Sequence, residues 1–190
     1  MRELWKKVFD HYAKISRDIL DDFNPPAEPI KIEALESLTN GLIPALYQTF
    51  FIHNGQNSYR FACMHPWKLY DIDDVLDNYD LMNNEVVARW QEEDISPDDY
   101  SESNGPVKEV MWNSKWIPIA SNGAGDLMCV DLDPAEGGKV GQVITWYHET
   151  TFKIVEASSY KEWLENYLQD LENNAYFFAE GKGLVKNKLS

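Results

Sequence analysis

Four short apolar runs follow one another in the C-terminal half of the chain and predict the strands of a sheet. They are WIPIA from Trp116, LMCV from Leu127, VITWY from Val143 and FKIVEA from Phe152. Runs of this length, rich in β-branched and aromatic residues, are typical of strands. Glycine-rich or proline-containing turns separate the first three, and short connections of this kind favour antiparallel neighbours.

An amphipathic helix is predicted directly after these strands. Ser159 stands three residues before Glu162, which is the spacing of a capping box at a helix N-terminus. Apolar residues then recur at helical spacing, namely Tyr160, Trp163, Leu164, Tyr167, Leu168 and Leu171. Both faces of the third strand carry apolar side chains, so we expect this helix to cover one of them.

Three further helices are predicted in the N-terminal half. Apolar residues at helical spacing over residues 4–19 predict one helix of about five turns. A second helix follows Pro29 and runs to Leu38. A third begins near Pro44, because proline suits a first helical turn, and ends at Asn54 and the glycine after it.

The middle and the end of the chain are less regular. Residues 59–64 predict a strand, residues 67–76 a helical or irregular piece, and residues 83–91 a short helix. Beyond residue 175 the chain changes from aromatic to basic and contains two glycines. We expect a packed turn there, followed by a loose end.

The length favours one domain, because a chain of 190 residues can bury roughly 70% of its unfolded surface without metals or crosslinks. We predict a single α+β domain with a largely antiparallel sheet of about five or six strands and helices packed mainly against one face. The domain is placed at residues 1–175 and a C-terminal tail at residues 176–190. Residues 71–104 are predicted to be an acidic, inserted segment.

Cysteine usage and hydropathy bear on the compartment. Two isolated cysteines, Cys63 and Cys129, suit a reducing environment and are expected to be small core residues. The N-terminus resembles no signal peptide, and no apolar stretch is long enough to span a membrane. We therefore expect a cytoplasmic protein with no membrane partner, while the pattern says nothing about its oligomeric state.

The net charge of −15 is concentrated in one segment. Residues 71–102 contain twelve acids and a single base, Arg89, a balance of −11. Such a field repels nucleic acid and attracts a basic protein partner. We predict a partner-binding surface made of Asp71, Asp73, Asp74, Asp77, Glu92, Glu93, Asp94, Asp98, Asp99 and Glu102. The alternative is that these acids only keep the surface solvated.

No motif for covalent catalysis, phosphate binding or zinc proteolysis is present, so we predict no catalytic residues and no cofactor. One set of residues could bind a divalent ion if the turns bring it together: Asp126, Asp131, Asp133, His148 and Glu149. The favoured interpretation is that these aspartates stabilise turns. We therefore predict no metal site.

A histidine and three tryptophans could have a chemical or ligand-binding role, but a structural role is the favoured interpretation for each. His53 could carry protons, but a lone histidine at a helix end is more often a partner of the helix dipole or a solvated side chain. Trp112, Trp116 and Trp146 could line a ligand groove, although large aromatic side chains in this pattern are more typical of a core.

Several motifs in a fixed order resemble the SUKH superfamily, which includes SMI/KNR-type fungal cell-wall assembly regulators and many bacterial immunity proteins. The C-terminal motifs are W-I-P-I-A, Gly125-Asp126, V-D-L-D-P, G-Q-V-I-x-W and A-S-S-Y-x-x-W-L. An upstream block carries Glu33, Leu35, Glu36, Pro44, Tyr47, Asn54 and Gly55. The resemblance covers residues 32–168.

The resemblance implies a protein-binding function without enzymatic activity. Our first hypothesis is a bacterial immunity protein that neutralises a basic nuclease-type or deaminase-type toxin through the acidic segment. The first alternative is a regulatory scaffold similar to the cell-wall assembly and glucan synthesis regulators. The second alternative is a small metal-dependent hydrolase that uses Asp126, Asp131, Asp133 and His148.

Overall fold

The computed structural model describes residues 1–62, 64, 66–96, 98, 102–179 and 183–187. Six strands form its main sheet, namely β1 Lys68–Leu69, β2 Ser103–Asn104, β3 Trp116–Ser121, β4 Leu127–Asp131, β5 Gln142–Trp146 and β6 Lys153–Ala157. Their order is β1-β3-β4-β5-β6-β2, with β2 parallel to β6 and every other pair antiparallel. The four predicted strands and the α+β fold with its largely antiparallel sheet are confirmed. The packing of the helices mainly against one face stays a prediction.

A proline is tolerated inside β3 because of where the neighbouring strands end. β1 pairs only with Ala120 and Ser121, so Pro118 faces no ladder on that side. The register towards β4 shifts between Pro118 and Ala120, which is a bulge. Proline lacks an N–H donor and is normally confined to such positions in sheets.

The helices of the N-terminal half are α1 Arg2–Ile15, α2 Arg17–Asp21, α3 Pro29–Leu38 and α4 Pro44–Phe50. The second and third predicted helices are confirmed as α3 and α4. The prediction of one helix over residues 4–19 is wrong, because Ser16 has extended backbone angles (φ −163°, ψ 133°). Its side chain accepts a hydrogen bond from Asp18 N and starts α2, as serine commonly does at a helix N-terminus.

The predicted strand over residues 59–64 is also wrong. Tyr59–Phe61 form a single 3₁₀ turn, and Cys63 lies outside the described residues. The backbone groups here bond to side chains instead of a ladder. Gln56 Nε2 donates to Phe61 O at 2.7 Å, and Ser58 N donates to the Asp22 carboxylate at 3.2 Å.

One continuous helical segment follows β1, where the sequence predicted two separate pieces. It consists of α5 Ile72–Asp80, a π-helical stretch Leu81–Val86, and α6 Val87–Glu92. Two side chains fix its start, since Asp71 accepts from Asp74 N and Asn54 Oδ1 accepts from Ile72 N, both at 2.8 Å. Donors at a helix N-terminus need such acceptors.

The predicted C-terminal helix is confirmed as α7 Tyr160–Glu172, and Ser159 Oγ accepts from Glu162 N at 3.1 Å. The chain then forms a hairpin of β7 Tyr176–Ala179 and β8 Gly183–Lys186. This hairpin occupies most of the predicted tail. The boundary between a domain at residues 1–175 and a tail at residues 176–190 stays a prediction.

The core joins the N-terminal helices, α7 and the sheet. Tyr12 of α1 donates its hydroxyl proton to the Tyr167 hydroxyl of α7 at 2.7 Å, and both rings are buried. Helix α7 contacts β5 and β6, while α5 contacts β3. Cys129 is fully buried on β4, as predicted, and burial raises the pKa of its thiol.

Candidate functional site

The acidic segment begins with carboxylates that already have intramolecular partners. Asp71 forms the N-terminal cap of α5. Asp73 forms an ion pair with Lys31 of α3, and Asp74 forms one with Lys68 of β1 at 3.1 Å. These predicted partner-binding residues therefore also connect α5 to its neighbours.

The remaining predicted residues are more open to a partner. Five of them are exposed and form no ion pair within the described part of the chain, and we call these five the acidic surface: Asp77, Glu92, Glu93, Asp94 and Asp98. Glu102 is also exposed but borders a cavity described below, and Asp99 lies outside the described residues. The acidic surface therefore presents negative charge to solvent, with Arg89 as the single base within residues 71–102.

The candidate metal ligands do not come together. Asp126 precedes β4 and Asp131 ends it, so five residues of extended chain, about 16 Å, separate them. No group of three His, Cys, Asp or Glu side chains lies close enough to hold a metal ion in the ranges that the structure covers. The alternative of a hydrolase built on all four residues is therefore not supported by their positions.

Asp131 and Asp133 instead stabilise the turn after β4, as the favoured interpretation expects. Asp131 is fully buried, accepts from Asp133 N and from Gln142 Nε2 at 2.9 Å each, and burial raises its pKa. Asp133 accepts from Asn113 Nδ2 at 2.9 Å and pairs with Lys108. These contacts lower the pKa of Asp133.

Asp126 and His148 do meet, across the neighbouring turns of the sheet. Asp126 Oδ1 accepts from His148 N at 3.0 Å and lies 3.0 Å from His148 Nδ1. The other carboxylate oxygen accepts from Asn122 Nδ2 at 2.7 Å. Asp126 therefore connects the β3–β4 turn to the β5–β6 turn through hydrogen bonds.

A cavity of about 720 Å³ opens beside this contact. We call it the turn cavity, and its lining consists of Glu102, Ala124, Asp126, Tyr147, His148, Glu149, Thr150, Phe152 and Ile154. The rings of Tyr147 and Phe152 stack with their centroids 6.4 Å apart. The sequence analysis grouped Asp126, His148 and Glu149 with Asp131 and Asp133 as a possible ligand set. It did not indicate that the first three line a cavity together with two aromatic rings and Glu102.

His53 is a buried core residue, so the expectation of a solvated side chain or a charged partner of the helix dipole is wrong. Its ring is buried against Trp5, Phe9 and Phe23, with the Trp5 centroid 4.2 Å away. Nδ1 accepts from Gly55 N at 3.2 Å. Burial lowers the pKa of His53 to about 3, so the ring is neutral near pH 7.

The three tryptophans form part of the core, as expected. Trp112 contacts Trp116 and Trp146 edge to face, with centroids 5.3 Å and 5.5 Å away, and all three are buried. Trp146 Nε1 donates to Met111 O at 2.8 Å. The edge-to-face arrangement is a favourable geometry for buried aromatic rings.

Lys153 of β6 is a buried charged residue that the sequence analysis did not identify. Its Nζ donates to Val110 O at 2.7 Å and lies 5.9 Å from the centroid of the Trp116 ring. Burial lowers its pKa to about 8. Strand β6 also contains the exposed Glu156, and the sequence pattern alone does not distinguish a buried charged residue from an exposed one.

The protein is therefore an α+β protein whose described residues form an acidic surface and a cavity between two turns, and no cluster of metal ligands is found among those residues. No helix in the described ranges combines the length and apolar character needed to cross a membrane. The chain belongs to the SMI1/KNR4 family (SUKH-1), because the model of that family matches residues 26–166. The resemblance inferred from the motifs is thereby confirmed.

Three fungal relatives illustrate the similarity. A KNR4/SMI1 homolog of Kluyveromyces lactis is 34% identical over 103 residues, 50% of this chain and 19% of the relative. The cell wall assembly regulator SMI1 of Saccharomyces cerevisiae is 32% identical over 103 residues, 50% and 20% respectively. A glucan synthesis regulatory protein of Neurospora crassa is 27% identical over 97 residues, 51% and 18%. The chain spans about a fifth of the length of these relatives.

Proposed function

We propose that the chain is a protein-binding domain without enzymatic activity that acts in the regulation of cell-wall assembly. The observation that carries this proposal is the family match over residues 26–166, joined to relatives whose names describe cell-wall and glucan synthesis regulation. These names favour the regulatory alternative over the immunity role that was the first hypothesis.

The acidic surface is the proposed region of contact with the partner. Its carboxylates are exposed and unpaired within the described part of the chain, so a basic partner does not have to displace internal ion pairs. Uncompensated charge of one sign raises the rate at which an oppositely charged protein associates. The negative carboxylates also repel the phosphates of nucleic acid, so we propose no nucleic-acid partner.

Affinity capture with a matched pair of variants tests this function. The first variant combines Asp77→Asn, Glu92→Gln and Glu93→Gln, which neutralises three charges of the acidic surface. We expect it to lose a partner that the unmodified chain captures at low salt and releases at high salt. In the source organism, deletion of the gene should sensitise cells to wall-damaging dyes, and only the unmodified chain should restore resistance.

The control variant carries the same change in net charge at other exposed positions, namely Glu33→Gln, Glu36→Gln and Glu172→Gln. We expect it to retain the partner and to restore resistance. Equal behaviour of the two triple variants would contradict the role of the acidic surface. Normal wall resistance of the deletion strain would contradict the regulatory function.

The immunity role remains a second candidate because the same acidic surface suits the basic cleft of a nuclease-type toxin. The two candidates differ in the consequence of losing the gene. An immunity protein protects against one toxin encoded nearby, so its loss is lethal only when that toxin is present. A toxin-like partner recovered in the capture experiment, with normal wall resistance of the deletion strain, would favour the immunity role.

A further inference from the structure

The turn cavity has a chemistry that neither the family match nor the acidic surface explains. We propose that it receives a basic side chain, arginine or lysine, that a partner polypeptide presents. The inference rests on the proposed function as a protein-binding domain and names a second point of contact. The cavity would bind a positively charged group carried on an apolar stem, and arginine and lysine side chains have this form.

The first support is that the cavity wall is held in place. The Asp126 carboxylate bridges the two turns through His148 N and Asn122 Nδ2, at 3.0 Å and 2.7 Å. Gly125 has φ +107°, and a Cβ there would lie 2.8 Å from the His148 ring. The turn thus packs directly on the ring, and a preorganised wall reduces the entropy that binding costs.

The second support is charge complementarity. The lining includes the carboxylates of Asp126, Glu102 and Glu149, and it includes no lysine or arginine among the described residues. Glu102 and Glu149 are exposed and form no ion pair within those ranges. The pKa of Tyr147 is raised by burial and further by Glu156 and Asp126, which agrees with a negative potential in this region.

The third support distinguishes a side chain from a simple ion. Ile154 and the stacked rings of Tyr147 and Phe152 give the cavity an apolar wall. Aromatic faces attract ammonium and guanidinium groups, and long basic side chains cover apolar surface with their methylene stems. The cavity volume of about 720 Å³ is large enough to admit a long basic side chain. An acidic patch without this wall would not favour an organic cation over a metal ion.

NMR titration of the ¹⁵N-labelled chain tests the inference directly. The probe is the acetylated and amidated peptide Gly-Arg-Gly, and the comparison peptide contains citrulline, which keeps the shape of arginine and removes its charge. We expect saturable shifts at the amides of residues 124–126 and 147–150 with the arginine peptide only. Glu102→Gln and Glu149→Gln should each weaken binding about fivefold, the effect of losing one partly screened charge pair.

The matched control is Glu33→Gln, which removes an exposed charge of α3 outside the cavity lining. We expect it to bind the arginine peptide as the unmodified chain does. Equal binding of the citrulline peptide, or equal weakening by Glu33→Gln, would overturn the inference. Each variant replaces an exposed side chain, and we expect the dispersed amide spectrum of a folded protein from each.

Failure of the peptide titration can be distinguished from failure of the proposed function. If the cavity variants lose the arginine peptide but the chain captures no partner, the cavity chemistry stands and the function fails. If the chain captures its partner through the acidic surface but the peptide does not bind, the function stands and the inference fails. Loss of partner capture in Glu149→Gln as well would support both.

Discussion

Gly55 shows how a residue of the family motif acts through the backbone. Its φ is +68°, and a Cβ would lie 2.4 Å from the carbonyl oxygen of Tyr70. The adjacent Asn54 side chain accepts from Ile72 N at 2.8 Å. The Asn54-Gly55 pair therefore connects the turn after α4 to the first turn of α5, which explains in physical terms why these two residue types stand together.

Gly55→Ala should lower the free energy of unfolding by about 3 kcal/mol or more, because left-handed backbone strain adds to a clash with backbone atoms that cannot move aside. Gly137→Ala is the matched control, since Gly137 has φ +87° but no atom within 4 Å of a Cβ. It should lose about 1 kcal/mol from strain alone. Urea denaturation measures both, and equal losses would contradict the role assigned to close packing at Gly55.

His53 couples the hydrophobic core to pH. Burial lowers its pKa to about 3, whereas an unfolded chain titrates histidine near 6.5. Between these values the unfolded state binds a proton that the native state excludes. Its contribution to stability is therefore fully present above pH 6.5 and is lost as the pH falls towards 3.

His53→Phe should remove this dependence, because phenylalanine suits the aromatic surroundings and does not titrate. The variant loses the acceptor for Gly55 N, so we expect it to be about 1 kcal/mol less stable at pH 7.5. Its deficit should shrink on acidification by up to about 1.4 kcal/mol per pH unit. Urea denaturation from pH 7.5 to 4.5 checks this, and parallel stability curves would refute it.

At the level of elements, the sequence predicted the strands and the helix whose apolar residues form regular runs or recur at regular spacing. Strands β3 to β6 and helix α7 are amphipathic or wholly apolar segments bounded by turn residues, and all five were found. The errors at Ser16 and at Tyr59–Phe61 have a different origin. In both places side chains bond to the backbone, and such local hydrogen bonds compete with helix and ladder without altering the apolar pattern.

The candidate site was less predictable because it depends on which turns share an end of the sheet. Asp126 and His148 meet since Leu127 pairs with Trp146, which brings the flanking turns together. Asp131 belongs to the opposite end of the same strand. The contribution of Glu102 follows from the parallel pairing of β2 with β6, and no local pattern encodes a pairing between strands so distant in sequence.

The N-terminal cap of α7 allows a test at this scale. Ser159→Ala removes the acceptor for Glu162 N and should lower the free energy of unfolding by about 1 kcal/mol. Ser37→Ala is the control, since the side chain of Ser37 is exposed near the end of helix α3 and its hydroxyl donates to the Glu33 carbonyl oxygen within the same helix. It should change stability by less than about 0.5 kcal/mol. Comparable losses in the two variants would contradict the assigned cap.

For the whole molecule, the main feature is the uneven distribution of its charge. The net charge is −15, and the helical segment from α5 to α6 presents much of it to solvent. The β1 and α3 lysines neutralise only the first turn of this segment, through Asp74 and Asp73. Like charges held close together repel one another and oppose the compact state, and this repulsion is screened by salt.

The stability of the chain should therefore rise with salt, by about 1 kcal/mol between 10 mM and 300 mM NaCl, as the screening length falls from about 30 Å to below 10 Å. The triple variant Asp77→Asn, Glu92→Gln and Glu93→Gln should be more stable than the unmodified chain at 10 mM and respond less to salt. Neutralising three acids outside this segment should have a smaller effect, although the net charge is the same. Urea denaturation at each salt concentration measures this. If the triple variant is less stable at low salt, the acids contribute to the fold; if it is more stable yet loses its partner, they contribute to binding at the expense of stability.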